Sequence, residues 1–99
     1  MPAAENIDDM WVRLLREDPD ARQIMLKEIR DLIQVSEIEL AKGMLRTLIK
    51  MTCGFPAISD EVGRNSKSVM RMLSPDVDPG IKAFMAVVNA TERKSMKMH

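Results

Sequence analysis

Between Phe55 and Leu73 the chain reads FPAISDEVGRNSKSVMRML, two apolar-periodic stretches hinged on Gly63. Ile58 and Val62 stand four apart in the first stretch and Val69 and Met72 three apart in the second, so each presents one apolar edge. Glycine enters a positive-φ turn without a Cβ penalty, and Asn65 offers the side-chain oxygen that starts a helix. Ser59 is a small residue at the point where a second helix would cross the first. The pattern predicts a helix over about 56–62, a tight turn, and a second helix over about 66–73.

The rest of the chain agrees with helices. Tyr is absent, Trp occurs once and Phe twice, while Leu, Met, Ile, Lys, Arg and Glu recur at helical spacing. That composition predicts an all-α protein, a compact bundle of about six helices, with one core built without metal or disulfide. Ile7, Met10, Trp11, Leu14 and Leu15 make one stripe of a first helix from about Asn6 to Glu17. Asp18-Pro19 caps and starts a second, with Ala21, Met25, Ile29 and Leu32 inward and Ile24 and Ile33 beside them. Ser36 to Glu39 reads as a capping box, with Val35 and Leu40 spaced as a hydrophobic staple. A third helix, about Glu37 to Cys53, is expected to bury Leu40, Met44, Leu45, Leu48 and Met51 and to close at Gly54. Asp78-Pro79 repeats the cap-and-proline start, ahead of an apolar stripe at Ile81, Phe84, Met85 and Val88. The expected division is 1–36 as an acidic helical segment packed on the core, 37–91 as the domain containing the paired short helices, and 92–99 as a flexible tail.

Charge is unevenly distributed. Residues 1–41 carry ten acids against five bases, whereas residues 42–75 carry six bases against Asp60 and Glu61 alone, so a neutral total hides an acidic half and a basic half. Phosphate backbones attract the second and repel the first. Lys42, Arg46 and Lys50, at i, i+4 and i+8, are expected to form a basic ridge on the third helix. Two helices joined by a glycine turn, the second of them polar and basic, are also the layout of a DNA-reading helix-turn-helix. On that reading Arg64, Asn65, Ser66, Lys67, Ser68, Met70 and Arg71 face DNA, with Lys67 and Arg71 carrying base or phosphate contacts, while Val69, Met72 and Leu73 pack inward.

Catalytic chemistry finds no support in these residues. The one histidine, His99, is terminal, no phosphate-cradling glycine loop occurs, and Cys53 is the only thiol. An enzyme, a bound cofactor and a metal site are therefore not expected. Asp8, Asp9, Glu37 and Glu39 fit helix starts better than paired acid–base work, and Cys53 reads as a small core residue. A lone cysteine, the absence of an apolar run near the roughly 18 residues of a membrane span, and a leading segment without basic and apolar blocks predict a cytoplasmic protein with no membrane association.

The stretch DEVGRNSKSVMRMLSPDVDPGIKAFMAVV resembles the addiction-module antidote proteins, antitoxins of the XRE-type, lambda-repressor-like helix-turn-helix class. The glycine turn, Arg71 to Pro75 read as Arg-x-Leu-Ser-Pro, and the Asp-Pro restart at Pro79 carry the resemblance, which weakens back to Asp18. Ala57 stands where such motifs often have Gln, Val77 where the family often has Gly, and Arg64 where the residue after the turn glycine is usually apolar. The resemblance implies a lambda-repressor-like helix-turn-helix and a homodimeric antitoxin. Such a protein binds double-stranded DNA at an operator upstream of its own gene, represses that operon and neutralises a RelE-like ribonuclease toxin. Phage and mobile-element repressors share the pattern, and a helical protein-interaction module that works through the acidic half is the reading without DNA.

Overall fold

Asn6 opens the first helix, α1 (Ile7–Glu17), by accepting the Asp9 amide at 2.8 Å. In this computed structural model, which describes residues 6–97, the described residues form six α-helices and no strand. Asp18 ends α1 through its amide to the Leu14 carbonyl and caps α2 (Pro19–Gln34) by accepting from the Asp20 amide at 2.9 Å, with Pro19 at the first helical position. α3 (Ile38–Met51) runs to Thr52. Gly54, at φ 82° and ψ 157°, returns its amide to the Ile49 carbonyl and admits the chain directly into α4 (Phe55–Val62). α5 (Ser66–Met72) packs on α4, and α6 (Ile81–Met96) lies against α2, α3 and α4.

All six helices feed one core. Leu15, Ile29, Leu45, Leu48, Ile49, Ile58, Val69, Leu73, Phe84, Val87 and Val88 are at most 1 % exposed. Arg22 joins them at 1 % exposure, its guanidinium donating to the Leu15 and Arg16 carbonyls at 3.0 and 3.2 Å and so satisfying the orphan C-terminal acceptors of α1. Ile24, expected beside the inward row of α2, instead lies 66 % exposed, because the buried sector of that helix is turned toward Arg22, Leu26 and Ile29.

Several boundaries differ from the sequence reading. Ser36 is not an N-cap: at φ 65° it is the left-handed residue that closes α2, with its own amide on the Ile33 carbonyl and the Glu37 amide on the Leu32 carbonyl. Glu37 occupies the cap of α3 without a side-chain bond, and Val35 and Leu40, the expected staple, are both exposed. Asp78 likewise gives way to Gly80 as the cap of α6. Ile81 is exposed, and the buried row of α6 runs through Phe84, Val87, Val88, Thr91 and Ser95. Residues 92–96, expected to fray, continue the helix, because Arg93 and Lys94 pair with Glu61 of α4 and Met96 packs against the core. Residues 1–5 of the leading segment read for a targeting signal, the Asp8 side chain and His99 lie outside the described residues.

Candidate nucleic-acid interface

Gly63 terminates α4 in the left-handed conformation, φ 70° and ψ 30°, where any side chain is strained. Its amide and that of Arg64 both reach the Ser59 carbonyl, at 2.9 and 3.2 Å, and the Ser59 hydroxyl donates back to the Arg64 carbonyl. A small hydroxyl residue thus ties the end of α4 to the turn. Asn65 then caps α5, its Oδ1 accepting the Ser68 amide at 2.8 Å.

The seven nominated residues occupy one continuous stretch of turn and helix. Val69, Met72 and Leu73 are buried, whereas Lys67, Ser68, Met70 and Arg71 are exposed and Ser66 is half-buried. Lys67 and Arg71 lie one turn apart on the side of α5 opposite its buried residues. Arg64 and Asn65 are exposed at the turn, and Arg64, Ser68 and Arg71 line one side of a shallow concavity whose other side is the Val77 to Gly80 connection and Ala83.

α3 does not carry the expected basic ridge. Lys42 is 2 % exposed, its ammonium donating to the carbonyls of Ser74, at 3.2 Å, and Val77, with the Glu39 carboxylate at 3.1 Å. Arg46 donates to the Leu73 carbonyl, and Glu39 accepts the Asp76 amide at 3.1 Å. Of the three bases only Lys50 is exposed. The reason is geometric. The carbonyls of Leu73, Ser74 and Val77 lie just past the end of α5, and two long cations of α3 donate to them.

These contacts make Glu39, Lys42 and Arg46 a clamp on the segment leaving α5. Asp76 rather than Val77 takes the left-handed turn there, at φ 65°, which short acidic side chains tolerate. The Asp76 amide, first, and then the Lys42 ammonium hold the Glu39 carboxyl below the usual glutamate range. On the opposite side, Arg93 first and Lys94 hold the Glu61 carboxyl down as they tie α4 to α6. The clamp residues are not legible as such from α3 alone, although the i, i+3, i+7 spacing of Glu39, Lys42 and Arg46 opposite Ser-Pro-Asp is its trace.

Among the described residues no group of His, Cys, Asp and Glu is arranged to hold a metal ion, and no helix is long and apolar enough to cross a membrane. Cys53 is half-buried, and that burial pushes its thiol up despite the Thr52 hydroxyl beside it. Comparison with family models, with curated proteins and with solved structures found no match to this chain.

Proposed function

We propose that this chain is a sequence-specific DNA-binding transcription regulator, in which α4 and α5 act as a lambda-repressor-like helix-turn-helix. The observation that carries this reading is the division of α5: Val69, Met72 and Leu73 buried, Lys67, Met70 and Arg71 exposed, and the basic Arg64 at the turn. A helix so anchored presents a rigid, cationic face of the width a major groove admits. Arg71 takes a guanine edge or a phosphate, Lys67 a base edge or a phosphate, and Arg64, Asn65, Ser66 and Ser68 position the helix on the backbone. The acidic residues 1–41 are repelled by phosphates, which favours approach through the basic residues 42–75.

One such helix reads only a few base pairs, so the working form is a homodimer with recognition helices about 34 Å apart. The resemblance of Ile58 to Val88 to addiction-module antidotes extends the proposal to a cytoplasmic antitoxin that represses its own operon and holds a RelE-like ribonuclease. The test is a binding titration against the DNA immediately upstream of its reading frame, at several salt concentrations, with a scrambled duplex as control. Tight, salt-sensitive binding to the upstream duplex alone is the expected result. Equal weak binding to both duplexes, with and without a co-expressed neighbouring protein, overturns it.

A further inference from the structure

An apolar groove of about 650 Å³ opens between α1, α2 and α3, lined chiefly by Trp11, Ile24, Met25, Met44 and Met51. It occupies the side of α3 turned away from the clamp: Lys42 and Arg46 face the end of α5, whereas Gly43, Met44, Thr47 and Met51 face the groove. Trp11 is 39 % exposed and Ile24 66 % exposed in it, and Leu40, 59 % exposed, extends the same stripe of α3 by one turn. A contiguous apolar surface rimmed by polar residues is the form of a protein-binding site.

Two features specify the occupant. Gly43 sits inside α3, where glycine weakens a helix relative to alanine, yet nothing in the chain requires it: a Cβ there meets only Nη2 of Arg46, at 3.8 Å. Its missing side chain leaves the α3 backbone open to close approach from outside, and Thr47 one turn on is small and turns its hydroxyl back onto the Gly43 carbonyl at 3.2 Å. Such a surface admits a crossing helix at short interaxial distance. The second feature is charge. Asp20, Ile24 and Glu28 form one i, i+4, i+8 row of exposed residues along α2, so the apolar wall is flanked by carboxylates, while the nearby Lys27 is engaged by Asp31 at 2.9 Å.

We propose that this groove docks an amphipathic helix of a partner protein, with its apolar stripe against Trp11, Ile24 and Met44 and a basic flank against Asp20 and Glu28. Helix-in-groove recognition uses such a surface, and the unbranched methionines adapt to the incoming side chains. A second copy of the chain fits poorly, since two-fold pairing here sets an acidic half against itself. The groove and α5 lie on different sides of α3, so the protein holds this partner and DNA at once.

Trp11 is the sole tryptophan and reports occupancy directly. The full chain is titrated with a Trp-free Leu/Lys amphipathic peptide of about five helical turns, its Leu/Glu counterpart, and a scrambled Leu/Lys peptide. A saturable blue shift is expected with the amphipathic basic peptide, at least about tenfold weaker with the other two, and weakened about tenfold by Gly43→Leu and by Ile24→Glu with far-UV circular dichroism unchanged. No saturable shift, an equal response to the acidic peptide, or indifference to both substitutions overturns the proposal. So does sedimentation showing a dimer that buries Trp11 and dissolves in Ile24→Glu, which gives the groove to a second copy. Upstream-DNA binding measured on the same variants is expected to be unchanged, so failure of the groove and failure of the DNA reading are told apart.

Discussion

The ammonium of Lys42 stands 3.2 Å from the carbonyl oxygen of Ser74, so a residue of α3 secures the segment leaving α5 from a nearly dry position. Lys42→Ala leaves the Ser74 and Val77 carbonyls without that donor. A loss of about 1–3 kcal/mol is expected, read as a lower urea midpoint at unchanged slope. Lys50→Ala, on an exposed position of the same helix, is expected to stay within about 0.5 kcal/mol of the parent.

Arg71→Ala is expected to raise the Kd for the upstream DNA by roughly tenfold or more, as loss of a bidentate guanine contact worth about 1–3 kcal/mol requires. Lys67→Ala, if that ammonium lies on a phosphate, lowers the salt slope by about one. Both side chains are exposed, so circular dichroism and thermal midpoint are expected to hold. Helicity lost in step with binding would remove these two residues from the interface.

Two glycines are expected to respond in opposite directions to alanine. Gly54→Ala places a Cβ at φ 82° and ψ 157° and costs roughly 1–3 kcal/mol. Gly43→Ala meets only Nη2 of Arg46, at an ordinary 3.8 Å, in mid-helix and stabilises by up to about 1 kcal/mol. Chemical denaturation of the two variants side by side checks the contrast.

The pH dependence follows from Glu39 and Glu61. Both carboxyls are depressed in the folded chain, so between the ordinary glutamate value of 4.5 and the lowered folded value the unfolded state binds more protons. Their contribution is complete above that ordinary value and is lost as pH falls through the folded one. The urea midpoint is therefore expected to fall below about pH 4.5, and the double variant Glu39→Gln, Glu61→Gln to show a shallower fall; both groups are exposed, which keeps the effect small.

Cys53 is expected to alkylate more slowly in the folded chain than in urea at pH 8, because burial raises its thiol and the thiolate is the reacting form. Iodoacetamide kinetics followed by mass spectrometry measure the ratio. Equal rates would make this an open thiol.

The helix starts at Asn6, Asp18 and Asn65 and the turn at Gly63 were legible because each is a local bond: a side-chain oxygen to an amide two or three residues on, or a backbone angle that favours glycine. Ser36 was not, since the same residue type serves either side of a helix boundary, and only the competition between the end of α2 and the start of α3 decides. Lys42 and Arg46 were read as solvated because their spacing is that of an exposed ridge. Their partners are carbonyls about thirty residues away, and carbonyls leave no mark in a sequence. The groove escaped for the converse reason: α3 is apolar around most of its circumference, and composition does not tell a face covered by the chain from one left open. The exposed face of α5, by contrast, was placed by periodicity alone.

The last helix, finally, sets an order of assembly. α4 rests on α6, and α6 also joins α2 and α3, with Phe84, Val87 and Val88 inside the shared core. A nascent chain that has emerged only as far as Pro79 possesses all of α4 and α5 but lacks α6, one of the helices on which α4 rests. A protease acting at the connection before Ile81 leaves α1 to α3 with their groove but separates α4 from the helix α6 against which it packs. Synthesis thus delivers the groove between α1, α2 and α3 first and the helix that seats α4 last.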